Sequence, residues 1–171
     1  ISDNYSPALA DQGMFMHSYT LGLYQVFDGI CATRPDILFE GCSSGGNRYD
    51  LGVLYYMPQM WISDDSDAHE RQRIQTGASY GYPLCTMGCH VSAIPNHQTL
   101  RRTTLDTRFN TAMFGLLGYE LDMTLLTRTQ KEDIKAQIAF YKQHRKLLQY
   151  GDFYRLVNSF HGRDCRWMVV S

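Results

Sequence analysis

Apolar side chains recur at Met16, Tyr19, Leu23, Val26, Phe27 and Ile30 within residues 14–33. That three-and-four spacing lays one stripe along a helix, and Pro35 follows soon after it. Residues 36–42, "DILFEGC", are a short apolar run stopped by the glycine-rich "SSGGN", which predicts a strand feeding a turn. A short helix is expected through "YDLGVLYYM". The aromatic run "MPQMWISDD", residues 57–65, predicts a second buried strand, and "SDAHERQRIQTGASYGY" after it has the polar first turn and spacing of a helix. "YPLCTMGCHVSA" predicts a third strand, residues 104–114 a helix and "GLLGYELDM" a fourth strand. From about 128 to 149, Ile134, Ile138, Tyr141 and Leu148 share one helical face, Thr127 and Gln130 have capping-box spacing, and Gly151 is expected to stop the helix. Beyond residue 151 the texture turns β-branched and aromatic without a helical period, so a β-rich region is expected to begin there.

Strands alternating with helices indicate an α/β fold with a parallel sheet. Four such units are half of what an eight-stranded barrel of about 250 residues needs, leaving two sheet edges that require partners. Residue 1 is Ile rather than Met, and the chain is expected to be a piece of a longer one.

Charge narrows the partners. The 16 Lys and Arg balance 17 Asp and Glu with no block of like charge, which argues against nucleic acid and anionic membrane surfaces and for a neutral partner. No apolar run approaches the roughly 18 residues needed to cross a bilayer, and "ISDNYSPALA" has neither a basic segment nor a signal core, so a soluble chain is expected. Five cysteines, without the dense spacing of a disulfide scaffold, predict reduced thiols and a cytoplasmic setting. The 12 Tyr and a 13% aromatic share suit sugar rings as well as a core.

Chemistry concentrates behind two strands. In "WISDDSD", Asp65 and Asp67 read as helix-starting carboxylates, Asp67 having capping-box spacing to Glu70. Asp64 is the first residue past the apolar run, expected beside Trp61 and Tyr56, where a partly apolar setting would let a carboxyl hold a proton as a general acid must. "CSSGG" reads either as a turn or as a cradle of backbone amides for a polar ligand. It lacks the spacing of a phosphate-binding loop. Cys85, Cys89, His90 and His97 invite a metal reading but match no zinc or haem spacing. Cys85 and Cys89, four residues apart, are expected on one strand face as core. His17, His144 and His161 share no ligand spacing, and no Gly-x-Ser-x-Gly elbow is present.

The stretch from "LFEGCSSGGNRYD" through "WISDDSDAHERQRIQTGASYGYPL", with "MGCHVSAIPNHQ" and "LGYELDM" after it, resembles the α-galactosidases of glycoside hydrolase family 36. The resemblance implies the second half of a (β/α)8 TIM barrel over residues 1–150, strands five to eight with their helices, and the start of a C-terminal β-sandwich domain over 151–171. It implies a retaining enzyme hydrolysing terminal α-galactosyl residues of melibiose- and raffinose-type oligosaccharides by double displacement. In it, Asp64 of the Ser-Asp-Asp motif is the acid/base, and the segment Cys42, Ser43, Ser44 and Gly45 lies against the galactose hydroxyls. The family's Lys-x-Asp-Met-Asn-Arg nucleophile motif is not in the chain, which opens with sequence expected just after it. The segment alone would then be inactive and complete only with the N-terminal half of the barrel, in a parent that is a homotetramer in many relatives. No cofactor and no metal are implied. The competing readings are a non-catalytic galactoside-binding or structural half-barrel, and a metal module around Cys85, Cys89 and His90.

Overall fold

The computed structural model describes residues 11–160, 162 and 165–171; the opening segment 1–10 and His161 lie outside the described residues. Four strands, β1 (Glu40–Gly41), β2 (Gln59–Trp61), β3 (Met87–Ser92) and β4 (Leu116–Glu120), form one parallel sheet in the order β1-β2-β3-β4. The register pairs Gly41 with Met60, Trp61 with Gly88 and His90 with Gly118. Parallel neighbours need crossovers, supplied here by the helices α3 (Leu51–Tyr56), α4 (Ala68–Ala78) and α5 (Leu105–Ala112). α1 (Gln12–Thr33) precedes the sheet and α6 (Arg128–Tyr150) follows it. The α/β alternation expected from the sequence is therefore the observed one.

Each helix starts at a side chain that satisfies its free amides. Asp11 accepts from the Gly13 and Met14 amides. Asp50 accepts from the Val53 amide at 2.9 Å and from the Tyr24 hydroxyl at 2.8 Å, so one carboxylate caps α3 and ties it to α1. Thr127 and Gln130 form the reciprocal capping box that their spacing predicts. Gly151 ends α6 with φ −77°, so it needs no left-handed backbone. A Cβ there would lie 2.6 Å from Val170 O and from Val169 Cγ1, and the glycine makes room for the following hairpin.

The core lies between the sheet and its helices: Met60, Met87, Cys89 and Val91 are fully buried, with Phe109, Tyr141 and Leu148 packed over them. Tyr141 donates to Gly115 O at 2.6 Å and accepts from the Leu117 amide at 3.2 Å, fixing α6 against β4.

Three expectations need correction. The first strand is two residues long, and Ile37 and Leu38, assigned to it from their apolarity, are exposed. β1 has a neighbour on one side only among the described residues, and a ladder cannot extend without a partner. The third strand begins at Met87, because Leu84–Thr86 form a 3₁₀ turn behind Pro83, which has no amide to give a ladder. Cys85 and Cys89 therefore do not share a strand face. Finally, the apolar stripe of α1 is only partly covered: Tyr24 and Phe27 pack on the core, while Met16, Val26 and Ile30 are exposed.

The β-rich tail is an antiparallel hairpin of β5 (Asp152–Val157) and β6 (Arg166–Val170). Phe153 and Trp167 pack on Phe114, the Trp167 indole donates to Thr76 Oγ1 at 3.2 Å, and Arg155 Nε donates to Ser79 Oγ at 2.8 Å. No helix among the described residues is long and apolar enough to cross a membrane.

Candidate active site

The carboxyl ends of the strands meet at one side of the sheet. An open cleft of about 320 Å³ is lined there by Glu40, Cys42, Trp61, His90, Tyr119 and Glu120. A larger cavity of about 570 Å³ lies between α4, α5 and the hairpin. Among the described residues no carboxylate or histidine lines it.

The three carboxylates behind β2 have separate tasks. Asp67 accepts from the His69 and Glu70 amides and is the N-cap of α4. Glu70 does not complete the box; it pairs with Arg101 at 3.3 Å, and Arg101 also pairs with Asp67. Asp65 accepts from the Asp67 amide at 3.0 Å and so folds the loop into the helix. Asp64 has neither of these tasks among the described residues. It is exposed, and its carboxylate accepts from the Trp61 indole N–H at 3.0 Å, which holds it beside the cleft. Tyr56, expected near Asp64, has its ring against Tyr24 and Phe27 instead.

Burial by itself would raise the Asp67 pKa. Hydrogen bonds from Thr99 and the Glu70 and His69 amides, with the Arg101 charge, outweigh it and hold the carboxyl below its ordinary value. A depressed folded-state pKa gives stability that is complete above about pH 4 and lost as pH falls through the folded value. Asp67→Ala is expected to cost about 3 kcal/mol at pH 7, since it leaves two amides without their acceptor and Arg101 with Glu70 as its remaining carboxylate. In urea unfolding followed by tryptophan fluorescence, the deficit should shrink as the pH drops below 4.

Against Asp64 sits the turn α2 (Ser43–Gly46), where the backbone is left-handed at four successive residues: φ is 50° at Ser43, 56° at Ser44, 77° at Gly45 and 90° at Gly46. The two serines each carry about 1–2 kcal/mol of strain, and such strain concentrates where a ligand is held. Glycine is required next by both torsion and space. A Cβ on Gly45 would lie 2.8 Å from the Asp64 amide nitrogen, and one on Gly46 2.8 Å from Ile62 O. The segment Cys42, Ser43, Ser44 and Gly45 and the residue Asp64, singled out separately in the sequence, thus meet at Gly45.

The metal reading of Cys85, Cys89 and His90 meets a different geometry. The Cys89 thiol is fully buried, 2.5 Å from where a Cβ on Gly115 would lie, while the His90 ring, one residue on, reaches the cleft. Among the described residues no group of three His, Cys, Asp or Glu could hold a metal ion. Burial pushes the Cys89 thiol up to about 12, whereas Cys42 is exposed. A thiol reagent near pH 8 should therefore modify Cys42 in the folded protein and Cys89 only in denaturant, by mass spectrometry of the labelled peptides.

Two further features were not legible in the sequence. His90 Nδ1 lies 3.5 Å from Glu120 Oε2, and its ring is 4.5 Å from that of Trp61. Arg71 on α4 is 1% exposed and donates to the carbonyls of Ser63, Asp65 and Gly88. Its helix has no strong apolar stripe, so the one available signal was an arginine four residues after the helix cap, on the side that faces the sheet.

Known proteins share this sequence and this fold. The sequence profile of the melibiase family matches residues 1–151. The α-galactosidase AgaA of Geobacillus stearothermophilus is 56% identical over 155 residues, covering 91% of this chain and 21% of the relative. α-Galactosidase 1 of Pediococcus pentosaceus is 47% identical over 173 aligned positions, covering 100% of this chain and 24% of the relative. A crystal structure of a glycoside hydrolase family 36 AgaA variant in complex with raffinose superposes with a TM-score of 0.92 at 51% identity, covering 100% of this chain and 24% of that one. The chain spans about a fifth to a quarter of the length of these relatives.

Proposed function

The chain belongs to the melibiase family, the α-galactosidases of glycoside hydrolase family 36, and from that premise we propose that it is the acid/base half of a retaining α-galactosidase site. Residues 1–150 are strands five to eight of a (β/α)8 barrel with their helices, and 151–171 begin a C-terminal β-sandwich. The exposed stripe of α1 and the single-sided β1 are what such a half presents where the rest of the barrel packs. The substrate is the terminal α-galactosyl residue of melibiose- or raffinose-type oligosaccharides, and the relative seen with raffinose supports that class. A homotetrameric parent and a cytoplasmic setting complete the reading, the latter on five free cysteines.

The observation that carries it is the contact of Asp64 with the left-handed turn. An ionisable carboxyl held by one indole N–H stands beside a strained loop whose Ser43 and Ser44 can meet sugar hydroxyls. In the first step a carboxylate from the preceding half of the barrel bonds to the anomeric carbon as the glycosidic C–O bond breaks. Asp64 gives its proton to the departing oxygen. In the second, Asp64, now ionised, takes a proton from water, the water oxygen bonds to the anomeric carbon, and the ester to the nucleophile breaks. Galactose leaves with its original configuration, and both carboxyls return to their starting states. Retention requires the two carboxyls about 5–5.5 Å apart. No cofactor enters these steps.

Proton NMR of the sugar released by the full-length parent from an aryl α-galactoside tests the reading: α-galactose should appear first and then mutarotate. β-Galactose first would remove the double displacement. Galactose binding without any hydrolysis would favour the binding or structural half-barrel.

A further inference from the structure

We infer that Arg71 and Trp61 form a positioning pair that sets the carboxyl of Asp64, an inference that rests on the reading above. Arg71 is nearly inaccessible and has no carboxylate partner among the described ion pairs. A buried guanidinium so placed must spend its donors elsewhere. Nη2 donates to Ser63 O at 2.6 Å and Nε to Asp65 O at 2.7 Å, so the backbone is pinned on both sides of Asp64. Nη1 donates to Gly88 O at 3.1 Å and anchors this clamp to β3. The same guanidinium lies 4.1 Å from the centre of the Trp61 ring, and the Trp61 indole N–H meets Asp64 Oδ1 at 3.0 Å. Backbone and side chain of the proton donor are thus held by one planar cation, directly and through one aromatic ring.

A planar fork is needed for this. Lysine keeps the charge but offers a compact ammonium that cannot reach three carbonyls while lying flat on an indole. Neither residue exchanges a proton with substrate in this scheme. Their loss should therefore be felt where the leaving oxygen needs a proton and spared where it does not.

The test compares kcat/KM on melibiose with kcat/KM on 2,4-dinitrophenyl α-galactoside, whose phenolate departs unprotonated, in the full-length parent and its Arg71→Lys and Trp61→Phe forms. The expected result in both forms is a loss on melibiose at least about 20-fold greater than the loss on the dinitrophenyl substrate, a ratio that cancels any change Trp61→Phe makes to the cleft wall. Trp61→Phe keeps a ring for Arg71 but no N–H, so it carries the test if Arg71→Lys does not fold. Equal losses on the two substrates in a folded variant, or no loss on either, would overturn the pair's role. An unsubstituted parent that hydrolyses neither substrate would instead remove the galactosidase reading, and this inference with it.

Discussion

Asp64→Ala in the full-length parent is expected to lower kcat/KM for melibiose by roughly 10²- to 10⁴-fold, the contribution of a positioned acid/base group. The melting temperature should move little. Asp64 is exposed, and among the described residues its side chain accepts one hydrogen bond, from Trp61, so its removal opens no core cavity and leaves no deeply buried charge. Asp67→Ala should behave in the opposite way, because Asp67 is 2% exposed and holds the start of α4 together with Arg101. Melting curves and steady-state kinetics on the two variants separate a chemical aspartate from a structural one three residues away. Comparable stability losses in both would contradict the division of labour among Asp64, Asp65 and Asp67.

The second large effect is expected from the glycine that touches Asp64. In Gly45→Ala the added methyl group meets the Asp64 backbone nitrogen at 2.8 Å and the carboxyl carbon at 3.3 Å, and the residue must also hold φ near 77°. The first conflict is with backbone and has no rotamer to escape into. The second costs about 1–2 kcal/mol for a residue with a Cβ. A displacement of Asp64 approaching 1 Å should lower kcat by about 100-fold. Gly22, whose added methyl group would meet nothing within 4 Å, is the control: Gly22→Ala should be neutral or slightly stabilising. Activity assays with thermal melts of both variants check this, and wild-type kinetics in Gly45→Ala would show that the turn does not bear on Asp64.

What could be read from the chain follows how local each cause is. The capping box at Thr127 and the cap at Asp67 are set by side chains reaching amides two or three residues away, and spacing reveals them. The strand-helix alternation and the meeting of "CSSGG" with "SDD" follow from parallel neighbours ending at the same side of a sheet. The extent of β1 was not legible, because it depends on a neighbour rather than on the apolarity of Ile37 and Leu38. Cys85 left its expected face because one proline converted the start of an apolar run into a 3₁₀ turn. Arg71 was hidden for a similar reason. A charged residue in a polar helix reads as solvated, and only the fold brings three carbonyls and an indole around it. The role proposed for Asp64 came from family resemblance; periodicity set it apart from its neighbours but did not assign it a proton.

That assignment is tested most directly by the product that Asp64→Ala makes from 2,4-dinitrophenyl α-galactoside in the presence of azide. Azide needs no base to attack, so it should restore turnover by intercepting the galactosyl enzyme, and NMR should show α-galactosyl azide, the configuration of the substrate. A β-galactosyl azide would make Asp64 the nucleophile, and hydrolysis at the unsubstituted rate with no azide adduct would take the proton away from Asp64 altogether.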